Sequence, residues 1–219
     1  MENGTIKVEG RGSIHVVPDV TRLIVTVDST FSNYADAYAR GQENAKWMRQ
    51  IMTYNKQDAN RVKSIKFDIS DHYENEYDSN GHYVGQYKDG FELNQKFKVD
   101  MGIDPVLLNK LVRGVGKFVL DAQIDIRYTV LDERLIHLKL IERAVKDARA
   151  KAQVIVDTAG CALGNIKCID YGDHGFDVIS EARNIHSNAE ATACVADSLD
   201  IMPDDMSVSD RVSVEFYIA

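Results

Sequence analysis

The sequence has little proline, little cysteine and no long apolar run. Three prolines in 219 residues leave room for long uninterrupted helices and strands. No stretch approaches the roughly 20 apolar residues that a membrane-spanning helix needs, so no membrane span is predicted. Three cysteines are too few for a disulfide framework. We expect Cys161, Cys168 and Cys194 to be small apolar filler or free surface thiols. The alternative is a redox pair of Cys161 and Cys168.

An excess of basic residues is also missing. The chain has 26 lysines and arginines against 34 acidic residues, a formal net charge of −8. That balance excludes a nucleic-acid protein held by phosphate neutralisation, so no nucleic-acid partner is predicted. The chain starts with Met1-Glu2-Asn3-Gly4, which has neither a basic region nor an apolar region of a signal peptide. If Met1 is the native start, the expected location is the cytoplasm.

Motifs of established catalytic sites are absent from the sequence. There is no G-x-S-x-G, P-loop, H-E-x-x-H or EF-hand loop. Gly10-Arg11-Gly12 and Gly114-Val115-Gly116 lack the strand-turn-helix context of a dinucleotide site. His137 is predicted to be structural, because no nucleophile can be placed beside it. We therefore predict a protein that is not an enzyme, with no catalytic residue, cofactor or assigned metal ligand; a thiol enzyme using Cys161 or Cys168 is a further alternative.

Alternating apolar residues predict the first two strands. One face of the first strand holds Ile6, Val8, Gly10, Gly12, Ile14 and Val16, and alternation resumes from Leu23 to Val27. Pro18-Asp19 between them favours a turn, so a β-hairpin is predicted. The missing side chains of Gly10 and Gly12 should let another element approach this face closely.

Apolar residues three and four apart predict three helices. The first runs from Asn33 to about Met52, and Gly41 within it is expected to pack on the glycine face of the first strand. A short helix starts at Asp104-Pro105 and is expected to end at Gly114 and Gly116. The longest helix spans Glu133 to Ala159, between an Asp132 cap and a Gly160 stop. Its predicted buried stripe consists of Leu138, Ile141, Val145, Ala148, Ala152, Ile155 and Ala159.

A second hairpin is predicted to continue past the body of the domain as an arm near residues 70–90. Its strands alternate from Ile65 to Ile69 and from Phe91 to Met101, and Asn80-Gly81 is the favoured two-residue turn. Candidate contact residues crowd the arm: His72, Tyr73, Tyr77, His82, Tyr83 and Tyr87. Three interpretations stay open, namely a solvated hairpin, an oligomer contact, or a metal site. The metal site would combine both histidines with nearby carboxylates, Asp71, Glu74, Glu76 and Asp78.

The elements together predict an α+β fold in the order ββαββαβαββ, with mainly antiparallel sheet and two long helices and one short helix packed on it. Further strands are expected over Ile124–Val130, from Ile166, and over Val212–Ile218. Residues 172–206 have no clear pattern and are expected to be irregular. Without a linker or an internal repeat, residues 1–219 are predicted to form a single domain.

Several short motifs follow one another through almost the whole chain. They are Val8-x-Gly10-x-Gly12 before Pro18-Asp19, Gly85-x-Tyr87 before Phe91-x-Leu93, Gly114-x-Gly116, Ala144-x-x-Asp147-Ala148-Arg149-x-Lys151-Ala152, Gly160-x-x-Leu163-Gly164, and Met202-Pro203-Asp204 before Val212-x-Val214-x-Phe216. In this order they resemble the SIMPL-domain family, bacterial proteins related to a mammalian kinase-associated signalling protein.

The resemblance implies an α+β fold and assembly into large rings or channel-like oligomers. It also implies a periplasmic or envelope-associated location and a link to oxidative-stress tolerance, and it supplies no catalytic residues. The leading hypothesis is a non-enzymatic, self-associating protein whose partner is a further copy of itself. The alternative is a metal- or small-ligand-binding module that uses the histidines, tyrosines and acidic residues of the arm.

Overall fold

The computed structural model describes residues 4–119, 121–172 and 204–219, and the backbone of residues 180–186. Cys194 lies outside the described residues, as does most of the segment 172–206 that the sequence predicts to be irregular. The strands are β1 Thr5–Val16, β2 Val20–Phe31, β3 Val62–Tyr77, β4 Tyr83–Gly102, β5 Ala122–Thr129, β6 Leu163–Asp170, β7 Ser180–His186 and β8 Met206–Ile218. The helices are α1 Tyr34–Tyr54, α2 Pro105–Phe118 and α3 Glu133–Ala159, with a 3-10 turn at Ala59–Arg61.

The predicted α+β class is confirmed: within the described residues, three helices accompany two antiparallel sheets, and the order of elements is consistent with the predicted one. One described strand was missed, because β7 lies within the segment expected to be irregular. Among the described residues, no helix is both long and apolar enough to cross a membrane.

The chain divides into two compact units. Unit one comprises residues 1–19, 129–180 and 203–219, and its described part is the sheet β1-β8-β6 with helix α3. Unit two comprises residues 20–128 and 181–202, and its described part is the sheet β3-β4-β2-β5-β7 with helices α1 and α2.

The predicted hairpin of the first two strands is wrong. Strand β1 pairs along its whole length with β8, from Thr5 opposite Tyr217 to Val16 opposite Met206. Strand β2 pairs instead with β4 in the other sheet. Alternation identifies which residues of a strand face the core, but it does not identify the neighbouring strand.

In unit one, α3 lies directly on the glycines of β1. A Cβ atom at Gly10 would lie 2.0 Å from the carbonyl oxygen of Ala144, and one at Gly12 would lie 2.1 Å from that of Leu140. The expected close approach to the glycine face is therefore made by α3. The buried residues of this helix are Leu140, Ala144, Ala148, Ala152 and Val156.

This buried stripe differs from the predicted one. Leu138 and Ile155, predicted to be buried, are 54% and 48% exposed, and Ala159 is exposed as well. Ile141 and Val145 are only half-buried. Small side chains are buried here because the helix backbone contacts the strand backbone, and larger side chains would keep the two apart.

In unit two, α1 and α2 cover an apolar core on β2, β4 and β5. The largest fully buried side chains of this core include Leu23, Phe97, Leu111, Ile126 and Tyr128. Gly41 packs on Phe67 and Leu93 of this sheet, so the expected contact with the first strand's glycines is wrong.

The predicted helix boundaries are mostly confirmed. The side chains of Asn33, Asp104 and Asp132 each accept a hydrogen bond from a backbone N–H of the first turn. Gly160 ends α3 with a left-handed φ of 72°. The expected end of α2 at Gly114 is wrong, because the helix continues to Phe118 and Gly114 packs inside it against Ile51.

Candidate functional site: the hairpin arm

The arm, residues 70–90, is the two-stranded end of the β3–β4 pair. Strand β2 accompanies β4 only as far as Phe31 opposite Phe91, and beyond that pair β3 and β4 continue with each other. None of the described residues 71–89 is buried. Beyond Phe91, β3 and β4 therefore form an exposed two-stranded extension of the sheet.

The turn at the tip is longer than predicted. Pairing ends at Tyr77 opposite Tyr83, so five residues connect the strands. The N–H of Gly81 donates to the carbonyl of Asp78 at 3.0 Å, and of these five connecting residues only Gly81 has a positive φ, 82°. A two-residue Asn-Gly turn needs positive φ at both residues, and Asn80 does not provide it.

Asp78 organises this tip. Its carboxylate accepts the backbone N–H groups of Asn80 and His82 at 2.8 and 2.9 Å, and lies 3.3 Å from Nδ1 of His82. The hydrogen bond from the N–H of His82 is the main cause that holds the pKa of Asp78 below its ordinary value. His82 thus belongs to the tip.

One face of the arm carries three of the predicted tyrosines. Directly opposed residues share a face of an antiparallel pair, and alternate residues along a strand share it too. Tyr73 and Tyr77 lie four residues apart on β3, and Tyr83 is directly opposite Tyr77, so the three share one face. Their side chains are 53–59% exposed. The rings of Tyr77 and Tyr83 lie edge to face at 6.1 Å. We call these three residues the tyrosine face.

Aromatic side chains continue from the arm towards helix α1. Phe91, which pairs with Asp71 at the base of the arm, contacts Tyr34 edge to face at 5.8 Å. Tyr34 stacks with Tyr38, whose ring meets Phe67 edge to face at 6.2 Å. The sequence alone does not reveal this extension, because α1 and the sheet supply its rings from distant positions of the chain.

The opposite face of the arm brings together His72, Glu74 and Asp89. A nitrogen of the imidazole and one oxygen of each carboxylate all lie within 4.8 Å of one another. We call these residues the His72 cluster. Of the ligands proposed from the sequence it retains His72 and Glu74. His82 lies opposite Asp78, six residues farther along the arm than His72, which is about 20 Å at 3.3 Å per residue.

The sequence alone does not place Asp89 in this cluster, and the register of the strands explains why. His72 pairs with Gly90 and Tyr73 with Lys88, so Asp89 is the extra residue of a β-bulge. A bulge re-aims a side chain relative to regular alternation. The dipeptide Asp89-Gly90 was the available signal, since glycine within a strand often marks such a bulge.

Tyr87 is the remaining predicted contact residue, and it lies beside the His72 cluster. Its hydroxyl donates to the Glu74 carboxylate at 3.1 Å. This hydrogen bond, helped by the negative charges of Glu74, Asp89 and Glu76, raises the pKa of the Tyr87 hydroxyl. The six predicted residues are thus divided among two faces and the tip.

The other sequence candidates lie in unit one. Cys161 and Cys168 are free and exposed, as expected of surface thiols. Nε2 of His137 lies 2.5 Å from the hydroxyl of Tyr171 and 3.5 Å from the carboxylate of Asp210. The Tyr171 hydroxyl donates to that nearly buried carboxylate at 2.8 Å. These bonds join α3 to β8, which agrees with the structural role predicted for His137.

Comparison with known proteins identifies a family. The model of a family described as "SIMPL: Protein of unknown function (DUF541)" matches residues 6–216. A search of curated proteins found no match.

Proposed function

Because the chain belongs to the SIMPL family, whose biochemical function is unknown, we propose its function from the geometry of the arm: it binds further copies of itself and is not an enzyme. The observation that carries this proposal is the tyrosine face, three aromatic side chains that are more than half exposed on a two-stranded projection. Tyrosine suits protein interfaces because its ring buries apolar area while its hydroxyl remains hydrogen-bonded.

The surroundings of the tyrosine face support an interface more than a solvated hairpin. Charged side chains keep exposed strands from associating, yet on this face the only two charges form an ion pair. Nζ of Lys88 lies 2.7 Å from the Asp71 carboxylate and 4.0 Å from the centre of the Phe91 ring. The two charges are therefore paired with each other within the arm, and the rings of the tyrosine face remain available to a partner.

Light scattering over a range of protein concentrations tests self-association. We expect the full chain to assemble and a Tyr77→Ser, Tyr83→Ser variant to be monomeric at the same concentrations. The matched control, Tyr77→Phe with Tyr83→Phe, retains the rings and should still assemble. A wild-type chain that stays monomeric at high concentration would contradict the proposal, and so would a serine variant that assembles like the wild type.

Family resemblance suggests where this assembly works. We place it in the periplasm or at the bacterial envelope, in tolerance of oxidative stress. Fractionation of the native cells should find the protein in the envelope fraction, and a deletion strain should survive peroxide less well. Complementation by the phenylalanine variant but not by the serine variant would connect the phenotype to assembly. Equal complementation by both variants would show that stress tolerance does not depend on assembly.

We also propose that the two units behave as one domain, as the sequence suggests. Scanning calorimetry of the full chain should then give a single transition whose calorimetric and van't Hoff enthalpies agree. Two separate transitions would contradict this proposal.

The His72 cluster favours a second candidate function, the binding of a divalent metal ion. One imidazole and two carboxylates are a ligand set that suits Zn²⁺, and three protein ligands would leave a fourth position open. The donors come from both strands of the arm, so bound metal would connect β3 to β4.

Titration calorimetry with zinc chloride tests this candidate. We expect one ion per chain, and loss of saturable binding in a His72→Ala variant. His82→Ala is the matched control, since His82 lies on the same arm but outside the cluster. No binding to the wild type, or equal losses in the two variants, would contradict the assignment.

A further inference from the structure

A second surface of unit two carries a positive charge that is unusual for this acidic chain. A groove of about 940 Å³ lies along the C-terminal end of α1 and the adjacent face of α2. Four basic residues line it, Lys56, Lys110, Arg113 and Lys117, all of them exposed. Among the described residues, the single acidic member of the lining is Asp104, whose side chain already caps α2.

The lysines of the groove have no acidic partner among the residues that the structure describes. Lys56, Lys110 and Lys117 form no ion pair there. Lys117 lies 5.3 Å from the centre of the Phe118 ring. Unpaired positive charges along a cleft attract a partner of opposite charge.

Aromatic side chains line the same groove. Trp47 stacks on Phe118 with ring centres 5.0 Å apart, and Tyr54 is 89% exposed. Aromatic rings of a partner can pack on such rings, and arginine and lysine stack on tyrosine faces. The groove thus suits a partner that is both acidic and aromatic.

The arm of this chain has that chemistry. Residues 70–90 contain five acidic side chains, Asp71, Glu74, Glu76, Asp78 and Asp89, against the single lysine Lys88. They also carry the tyrosine face and Tyr87. The charges of the arm and of the groove are therefore complementary within one sequence.

The arm and the groove lie at opposite ends of helix α1. Tyr34, at its first turn, contacts Phe91 at the base of the arm, whereas Trp47, near its end, contacts Phe118 in the groove. Trp47 lies thirteen positions after Tyr34 on the helix, which is about 20 Å at 1.5 Å per residue. Phe67 lies beside Gly41 in the middle of α1, whereas Phe91, at the base of the arm, lies beside Tyr34 at the start of α1. The strands therefore run towards the arm in the direction that leads away from the groove.

We propose that the arm of one copy of the chain docks in the α1–α2 groove of the next copy. The inference rests on the proposed self-association and names the two surfaces that meet. Because the arm extends away from the groove of its own chain, the contact is head-to-tail. Such contacts use two different surfaces and leave one of each free, so they build closed rings or open filaments rather than simple two-fold dimers.

Charge reversal tests the contact. The arm variant is Glu74→Lys with Glu76→Lys, and the groove variant is Lys110→Glu with Lys117→Glu. Light scattering is measured with a chelator present, so that the His72 cluster holds no metal, and circular dichroism verifies that each variant is folded. We expect each variant alone to be monomeric. An equimolar mixture should assemble again, and a chain that carries all four changes should also assemble.

The outcomes separate this inference from the proposed function. A wild-type chain that does not assemble removes both. If the arm variant is monomeric while the groove variant assembles like the wild type, self-association stands and the groove belongs to another acidic partner. If both variants are monomeric but neither the mixture nor the quadruple variant assembles, or if both variants assemble unchanged, the docking of arm into groove is wrong.

Discussion

The carbonyl oxygen of Leu140 occupies the place where a side chain at Gly12 would begin, 2.1 Å from the Cβ position. Strand β1 and helix α3 touch backbone to backbone at this point, and Gly10 makes a similar contact with Ala144. The core of unit one therefore requires glycine at both positions, because any Cβ atom there would push the helix away from the sheet.

A Gly12→Ala variant should lose about 3 kcal/mol of unfolding free energy, since overpacking that has to move backbone lies at the upper end of the usual cost. Urea unfolding followed by circular dichroism measures this loss. Gly102→Ala is the control, because no atom lies within 4 Å of its Cβ position. Equal effects at the two glycines would contradict the close contact.

Asp147 connects the same helix to the same strand by charge. Its carboxylate accepts from Lys151 of α3 at 2.7 Å and from the backbone N–H of Arg11 in β1, also at 2.7 Å. The hydrogen bond from Lys151, followed by that from Arg11, lowers the pKa of Asp147 below its ordinary 3.8. A lowered pKa in the folded state stabilises the fold above the unfolded value, and the stabilisation is lost as the pH falls through the folded value.

An Asp147→Asn variant should accordingly be less stable than the wild type at pH 7, by less than about 1 kcal/mol because the ion pair is partly exposed. The difference should shrink as the pH is lowered from 5 to 2, where the wild-type carboxylate becomes neutral. Thermal unfolding across this pH range measures it, with Asp170→Asn, an exposed carboxylate of β6, as control. A difference that stays constant with pH would contradict the electrostatic origin.

Gln95 is a buried amide in unit two that connects α1 to β4. Its NH₂ group donates to the carbonyl of Gly41 at 3.0 Å, and its oxygen accepts from Asn44 at 3.3 Å. A Gln95→Leu variant should lose about 2 kcal/mol of unfolding free energy, because the buried Asn44 amide loses its partner. Asn44→Leu should lower the free energy of unfolding less in the Gln95→Leu variant than in the wild type. Strictly additive losses would show that the two amides are not coupled.

Tyr87 offers a spectroscopic report on the His72 cluster. Because the bond to Glu74 raises its pKa, a Glu74→Gln variant should ionise this tyrosine at lower pH than the wild type. Alkaline titration of the tyrosinate absorbance measures the shift, and Tyr87→Phe identifies which part of the curve belongs to this residue. Identical titrations of wild type and Glu74→Gln would exclude the hydrogen bond in solution.

Local signals in the sequence were sufficient to predict most of the helix boundaries. Asp104 and Asp132 cap their helices as predicted, since a cap needs only a side-chain oxygen and the next three backbone N–H groups. The His72 cluster was only partly predictable, because Asp89 joins it through a bulge whose position depends on the pairing of the strands.

By itself, the sequence determined the class of fold, the order of elements except β7, and the family, because alternation, helical period and capping act over a few residues. Only the tertiary structure decided the partner of β1, the buried stripe of α3, and the position of a basic groove at the far end of α1 from the arm. Those features depend on contacts between residues far apart in the chain, as with Thr5 and Tyr217. A local pattern tells which face of an element is apolar, while packing selects the element that covers it.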